Sequence, residues 1–322
     1  MKATEFHVKQ FDDGIYFGLD EQAYHADPAL GSGNTKQLAY APCDFWWNSW
    51  MNPMRPHRKE TPSTTLGTAL HVLTFHGEAE FDRRYMRGAE HDDDMTPAEK
   101  SALTKEAKKI AAAKGLIALP AAGHDRIAIV AAKVLKNPKL AQAFSGGMPE
   151  VSLFWTKVCK DGRTIRKKGR LDYLKPRGIG DLKSVANQHE MPFPRACMNH
   201  IANYSYHVQA KHYMDGRACM PGFVADGRVN GDCDPSLLKA FAAAQRFGFQ
   251  WIFWQTERAP ITWSRILSPA NPMCDLAANT IERADANYLS YMERFGAGEM
   301  WLEDDEPREL HMEDMPGYFA RD

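Results

Sequence analysis

Polar and apolar residues alternate at the two-residue period of a strand from Glu150 to Trp155, and the Lys160-Asp161-Gly162 that follows is a turn signal. Thr164 to Leu174 returns as a second run, Pro176 to Gly178 turns again, and Ile179 to Lys183 makes a third, short run. Upstream the pattern is mainly helical. Gly14 to Leu19 is strand-like, Ser32-Gly33-Asn34 starts a helix running into Thr35–Tyr40, and Leu66 to Leu73 reads as an apolar helix. Thr96-Pro97-Ala98-Glu99 is a capping box with proline at the first helical position, opening a helix to about Ala113. Another helix covers Asp125–Leu135 and stops at Asn137-Pro138. Downstream, Ala196 to Met214 repeats at three to four residues and reads as one helix ended by Gly216. Pro235–Arg246 is a short helix, Phe249–Gln255 and Ile261–Leu267 pair as strands, and Met273–Phe295 is a long amphipathic helix. The order predicts an α/β (α+β) fold with a mixed central sheet flanked by helices. Residues 1–148 form a mainly helical part, 149–295 the core and 296–322 an acidic tail, integrated as one domain, with Trp301, Tyr318 and Phe319 as docking points for the tail.

The strands also carry candidate chemistry. Residues two apart on a strand share a face, so Asp181 and Lys183 point the same way with Leu182 buried behind them, and Arg170 and Asp172 likewise pair. Two carboxylates from neighbouring strands can hold a hard divalent cation, and a lysine beside them can polarise a phosphate or water. Asp-x-Lys alone is a weak signal; Arg-x-Asp followed by Asp-x-Lys at strand spacing is stronger. His71 sits on an apolar helix face, where an isolated histidine is more often a satisfied core residue than a ligand. The aromatic group Phe45, Trp46, Trp47 and Trp50 reads as a core anchor, with a base-stacking surface as the alternative.

Composition narrows the partners. Of 322 residues, 40 are Lys or Arg and 41 Asp or Glu, giving a net charge of −1. Binding to nucleic acid through general charge would need a basic chain, so it would have to use a local patch. Arg163, Arg166, Lys167, Lys168 and Arg170 supply one inside the central stretch, unless they are simply a solvated strand face. The proline-rich, basic 52–63 loop, with Arg55, His57, Arg58 and Lys59, could track a phosphate backbone, and the acidic 91–94 run reads as a solvated loop. The six cysteines include no Cys-x-x-Cys pair, which argues against zinc or iron–sulfur. Without a signal peptide or an apolar run long enough for a bilayer, a cytoplasmic setting with no membrane partner is expected.

Five segments in order resemble one family: Gly67-Thr68-Ala69-Leu70-His71, then Glu150, Gly169-Arg170-Leu171-Asp172, Asp181-Leu182-Lys183, and Gln209-x-x-x-Tyr213. Together with the approach from Tyr24-His25 to Pro42, they resemble the PD-(D/E)xK nuclease superfamily in its RecB-like branch, and most of all the phage and prophage exonuclease VIII (RecE-type) proteins. The resemblance implies a restriction-endonuclease-like core and raises His71 to a metal ligand with Asp172, Asp181 and the Leu182 carbonyl. It makes Glu150 an acid orienting water or ligands, Lys183 a stabiliser of charge, and Gln209 and Tyr213 positioning groups, a buried helix face remaining open for Tyr213. It further implies Mg2+-dependent phosphodiester hydrolysis with Mn2+ as substitute, and 5′-phosphate products. The implied substrate is linear double-stranded DNA, degraded 5′→3′ from its ends to leave 3′ tails for a single-strand annealing partner in the host-cell cytoplasm. A ring-like homo-oligomer, a tetramer, is implied as well, with the basic patch as its lining. Other nucleases of the same fold, and a DNA-binding module with an inactive site, remain alternatives.

Overall fold

Why the central strands form is plain from β8 (Gly248–Gln255, GFQWIFWQ): it is apolar on both faces, as a strand covered by helices on both sides must be. The structure is a computed structural model that describes residues 10–56, 62–187 and 190–303, with 307, 309–315 and 319 of the tail. The chain first runs through β1 (Gly14–Tyr16), α1 (Glu21–Ala26), α2 (Ser32–Tyr40), α3 (Pro42–Asn48), α4 (Pro62–His76) and α5 (Glu78–Arg84). Next come β2 (Tyr85–Arg87), α6 (Pro97–Ala113), β3 (Ile117–Leu119), α7 (Ala121–Lys136) and the one-turn α8 (Pro138–Ala141). Three long strands follow, β4 (Met148–Val158), β5 (Thr164–Lys175) and β6 (Gly178–Val185). The rest is α9 (Phe193–Asn203), α10 (Tyr206–Ala218), α11 (Met220–Ala225), β7 (Val229–Asn230), α12 (Pro235–Ala243), β8, β9 (Thr262–Leu267) and α13 (Pro272–Phe295).

Seven strands make one mixed sheet in the order β7-β1-β4-β5-β6-β8-β9. β4, β5 and β6 form an antiparallel meander, while β6 and β8 run parallel because α9 to α12 cross between them. One face of the sheet buries Trp155, Val185, Phe249, Trp251 and Phe253 with Ala196, Ala210 and Met214 of α9 and α10. The other buries Leu182, Ile252 and Trp254 against Leu70 and Leu73 of α4 and Ile127, Val130 and Val134 of α7. A third cluster joins α2 and α3 to α13 through Leu38, Phe45, Trp46 and Ala284 and is closed by Trp301. The mixed α/β fold expected from the sequence is what the chain adopts.

Several expectations change in detail. The Ala196–Met214 helix is two helices, interrupted at Tyr204 and Ser205, where Ser205 takes a left-handed backbone (φ 49°). Gly216 does not end α10, which continues to Ala218. It is there for room: a Cβ at Gly216 would stand 2.6 Å from the Trp155 ring. β2 and β3 pair in parallel as a separate two-stranded sheet, too short to show a period in the sequence. β1 pairs with β4, and α2 packs on α13. In the tail Trp301 is buried and Phe319 exposed; Tyr318 lies outside the described residues.

Candidate active site

The site begins where two strands part. β5 and β6 pair from Lys175↔Gly178 to Tyr173↔Gly180, and the ladder ends there, although β6 stays paired with β8 as far as Val185↔Gln255. The backbone of Leu182 is therefore met by side chains in place of strand β5. Its N–H donates to Asp172 Oδ2 at 2.9 Å, and its carbonyl oxygen lies 3.1 Å from His71 Nε2. The same imidazole nitrogen is 3.6 Å from Asp172 Oδ2. His71 is brought there by α4, whose Leu70 and Leu73 anchor it in the core beneath the sheet.

Asp181 and Lys183 project from the face of β6 opposite Leu182. Lys183 Nζ stands 2.6 Å from Asp181 Oδ2, an ion contact; neither carboxylate oxygen receives a well-directed hydrogen bond, and Asp181 is wholly buried. Burial pushes Asp181 up to about 7 against the opposing pull of Lys183, with the Asp172 charge adding to the rise. Burial alone would lower Lys183, but the Asp181 and Asp172 carboxylates outweigh it and hold the ammonium above its ordinary value. The lysine is thus a fixed positive charge.

Glu150 occupies a left-handed backbone conformation (φ 50°) within β4, between the paired positions Pro149↔Tyr173 and Val151↔Leu171. A non-glycine residue held there costs on the order of 1–3 kcal/mol and is common at functional sites. Its carboxylate is oriented by Arg170 at 3.1 Å and His76 at 3.4 Å. Gln209 Nε2 donates to the Tyr213 hydroxyl at 3.3 Å. Tyr213 lies over Gly169, where a Cβ would stand 3.1 Å from its ring. His71, Glu150, Arg170, Asp172 and Tyr213 all line one cleft of about 1210 Å³, walled opposite by residues of the N-terminal part, including Asn34, Gln37, Trp50 and Arg55. Sequence reasoning missed His76, whose partner Glu150 is distant in the chain. Trp50, read as a core anchor with base stacking as the alternative, packs against the α2–α3–α13 cluster and, being half-buried, also lines the cleft.

The basic patch is where the sequence misleads. Lys167 is buried and ion-paired with Asp285 of α13, and Lys168 is buried with its ammonium donating to the Tyr24 and Asp27 carbonyls at 2.8 and 2.6 Å. Arg166 is bound to Asp27 and the Phe11 carbonyl, and Arg170 serves Glu150, Ser152 and the Leu19 carbonyl. Arg163 is exposed but paired with Asp161 and Glu293. At a strand rise of about 3.3 Å per residue it stands roughly 30 Å from Asp172. These side chains tie elements together; they do not form a phosphate-lined wall. Of the 52–63 loop, Arg55 is exposed in the cleft, while His57, Arg58 and Lys59 lie outside the described residues.

Among the described residues no three His, Cys, Asp or Glu side chains already encircle one point, because Asp172 and His71 are turned onto the Leu182 backbone and Asp181 onto Lys183. The donor set nevertheless suits a divalent cation. Two carboxylates, a backbone carbonyl and an imidazole are the ligands that magnesium and manganese accept, and the buried carboxylate of Asp181 lacks hydrogen bonds that a cation would replace. His71, Asp172, Asp181 and the Leu182 carbonyl would hold it.

Residues 47–223 match the family described as a PDDEXK-like domain of unknown function (DUF3799), a span that includes His71, Glu150, Asp172, Asp181, Lys183, Gln209 and Tyr213. No curated protein matches the chain. Among solved structures, a "Putative exonuclease" from Eubacterium rectale aligns with 85% of this chain and 86% of its own at 13% identity and a TM-score of 0.49. A protein called SSO0001 aligns with 77% of this chain and 85% of its own at 12% identity and a TM-score of 0.26.

Proposed function

The chain belongs to the PDDEXK-like domain family, and from that membership we propose that it is a divalent-metal-dependent nuclease hydrolysing phosphodiester bonds in DNA. The observation that carries the proposal is the parting of β5 and β6 at Asp172 and Asp181, with Lys183 and His71 at its mouth. A bound cation would supply charge neutralisation and an activated water. Lys183 contributes a permanent ammonium where negative charge develops on the phosphate, worth more in this buried setting than in water. Glu150, fixed by Arg170 and His76, faces the cleft and would orient the attacking water or the ligands of the cation. Tyr213, on the cleft wall and bonded to Gln209, orients the strand.

The finer reading comes from the resemblance to RecE-type exonucleases: Mg2+-dependent digestion of linear duplex DNA, 5′→3′, leaving 5′-phosphate products and 3′ tails for an annealing partner, by a tetrameric ring. One assay tests both levels. Linear duplex labelled separately at its 5′ and 3′ ends, and a closed circle, are incubated with Mg2+, with Mn2+ and with chelator. The proposal expects metal-dependent loss of the 5′ label first, an intact circle, and no reaction by Asp181→Asn. Cleavage of the circle would replace exonuclease by endonuclease. DNA left whole under every metal, by folded protein, would remove the nuclease reading.

A further inference from the structure

Ser205 takes its left-handed turn (φ 49°, ψ 49°) between α9 and α10, close to the catalytic lysine. In a continuous helix Tyr204 and Tyr206, two residues apart, would point to different sides. The turn instead stacks their rings, 5.7 Å apart with 23° between planes. His200 flanks the pair, its half-buried ring 5.1 Å from Tyr204 and tilted by 57°. At the inner end Lys183 Nζ lies 5.6 Å from the centre of the Tyr206 ring. Lys36 of α2 places its own ammonium 5.7 Å from the same ring and donates to the Tyr204 carbonyl at 2.8 Å. Tyr204 is 54% exposed, so its ring is not committed to the core. A stacked pair of rings with two ammonium groups at its inner member thus leads from solvent to Lys183.

We propose that these side chains form a subsite for unpaired nucleotides of the strand being cut: bases stack on Tyr204 and His200, and a backbone phosphate meets Lys36. The inference rests on the nuclease reading for the strand's identity, and on the side chains themselves for its chemistry. Rings that present their faces, with cations beside them, bind single strands because every unpaired base offers a π-face, whereas bases in a duplex are stacked on each other. A protein partner would call for a broad apolar patch, and a single half-exposed tyrosine among histidine and lysine is not one.

The test is binding of a fluorescein-labelled thymidine oligonucleotide to the full chain in chelator, followed by anisotropy. Tyr204→Ala is expected to weaken binding about tenfold and Tyr204→Phe by no more than about twofold, since stacking needs a ring and not the hydroxyl. Lys36→Gln should flatten the dependence of log K on log salt by about 0.7, one single-strand phosphate contact. A folded Tyr204→Ala that binds like wild type overturns the subsite. If that variant does not fold, Lys36→Gln decides, and an unchanged salt slope overturns it. The two readings fail separately. Wild type that binds the oligonucleotide through Tyr204 yet cleaves no DNA with any divalent cation retains the subsite and loses the nuclease. Wild type that cleaves DNA, beside a Tyr204→Ala that binds and cleaves equally, loses only the subsite.

Discussion

His71 and His212 show how one residue type is put to opposite uses. His71 stands at the mouth of the strand fork with its Nε2 facing a carbonyl and a carboxylate, an arrangement that a shared cation would relieve. Calcium, bound at a hundred times its dissociation constant, should stabilise the folded chain by about 2.7 kcal/mol. That corresponds to a melting rise on the order of 5 °C. Asp181→Asn should abolish the rise and His71→Ala reduce it, whereas a purely structural His71 would lower the melting point and leave the calcium increment intact. His212 is buried against the Lys168 carbonyl at 2.9 Å, and burial pushes it down to about 3. The unfolded chain takes up a proton near the ordinary value of about 6.5 and the folded chain does not, so stability is full above that pH and declines as pH falls towards 3. The loss is at most about 1.4 kcal/mol per pH unit. Denaturation of wild type and His212→Gln between pH 4 and 8 should give curves that diverge only below about 6.5; parallel curves would mean that His212 takes up its proton equally in the folded and unfolded chain. In the sequence His71 could be picked out because it closes a recognisable run, while nothing around His212 betrays its burial.

At the level of elements, long periodic segments were legible and short or bent ones were not. β4, β5, β6, β8 and β9, the capped α6 and the amphipathic α13 follow from alternation, turn residues and caps. The α9–α10 break did not, because Ser205 occupies a left-handed conformation that its residue type does not announce. The basic run on β5 failed for a related reason: charge in a sequence says nothing of partners that arrive from elsewhere, and Asp27 and Asp285 lie far away along the chain. The tail, acidic and without periodicity, still shows its anchor, because Trp301 is one of three aromatic residues read there as docking points and the structure buries it. Trp301 is buried among Phe45, Tyr288 and Tyr291, with its indole N–H donating to the Gly296 carbonyl at 2.9 Å. Trp301→Ala should cost about 3–5 kcal/mol, read as a lower urea midpoint with an unchanged slope. A change below about 1 kcal/mol would mean that the tail is not part of the fold.

For the whole molecule, a net charge of −1 means that the duplex binding proposed above would have to use local cations. With the β5 side chains committed elsewhere, Arg55 is, among the described residues, the exposed Lys or Arg of the cleft wall. Arg55→Glu should weaken duplex binding and reduce the salt slope by about one unit while calcium stabilisation persists; an unchanged slope would place the duplex off this wall. The proposed metal donors come from both faces of the sheet, His71 from α4 on one and Asp181 on the side of α10, so the centre would be complete only when both helical layers are docked. Leu182 contributes to this centre through its amide and carbonyl alone, its side chain serving only to fill the core. Substitution and indel are therefore tolerated very differently at that point. Isoleucine, valine or methionine can take over the middle position of Asp-x-Lys, but inserting or deleting one residue between Asp181 and Lys183 turns those two side chains onto opposite faces of β6. The signature is written in spacing, and its central letter is free to vary.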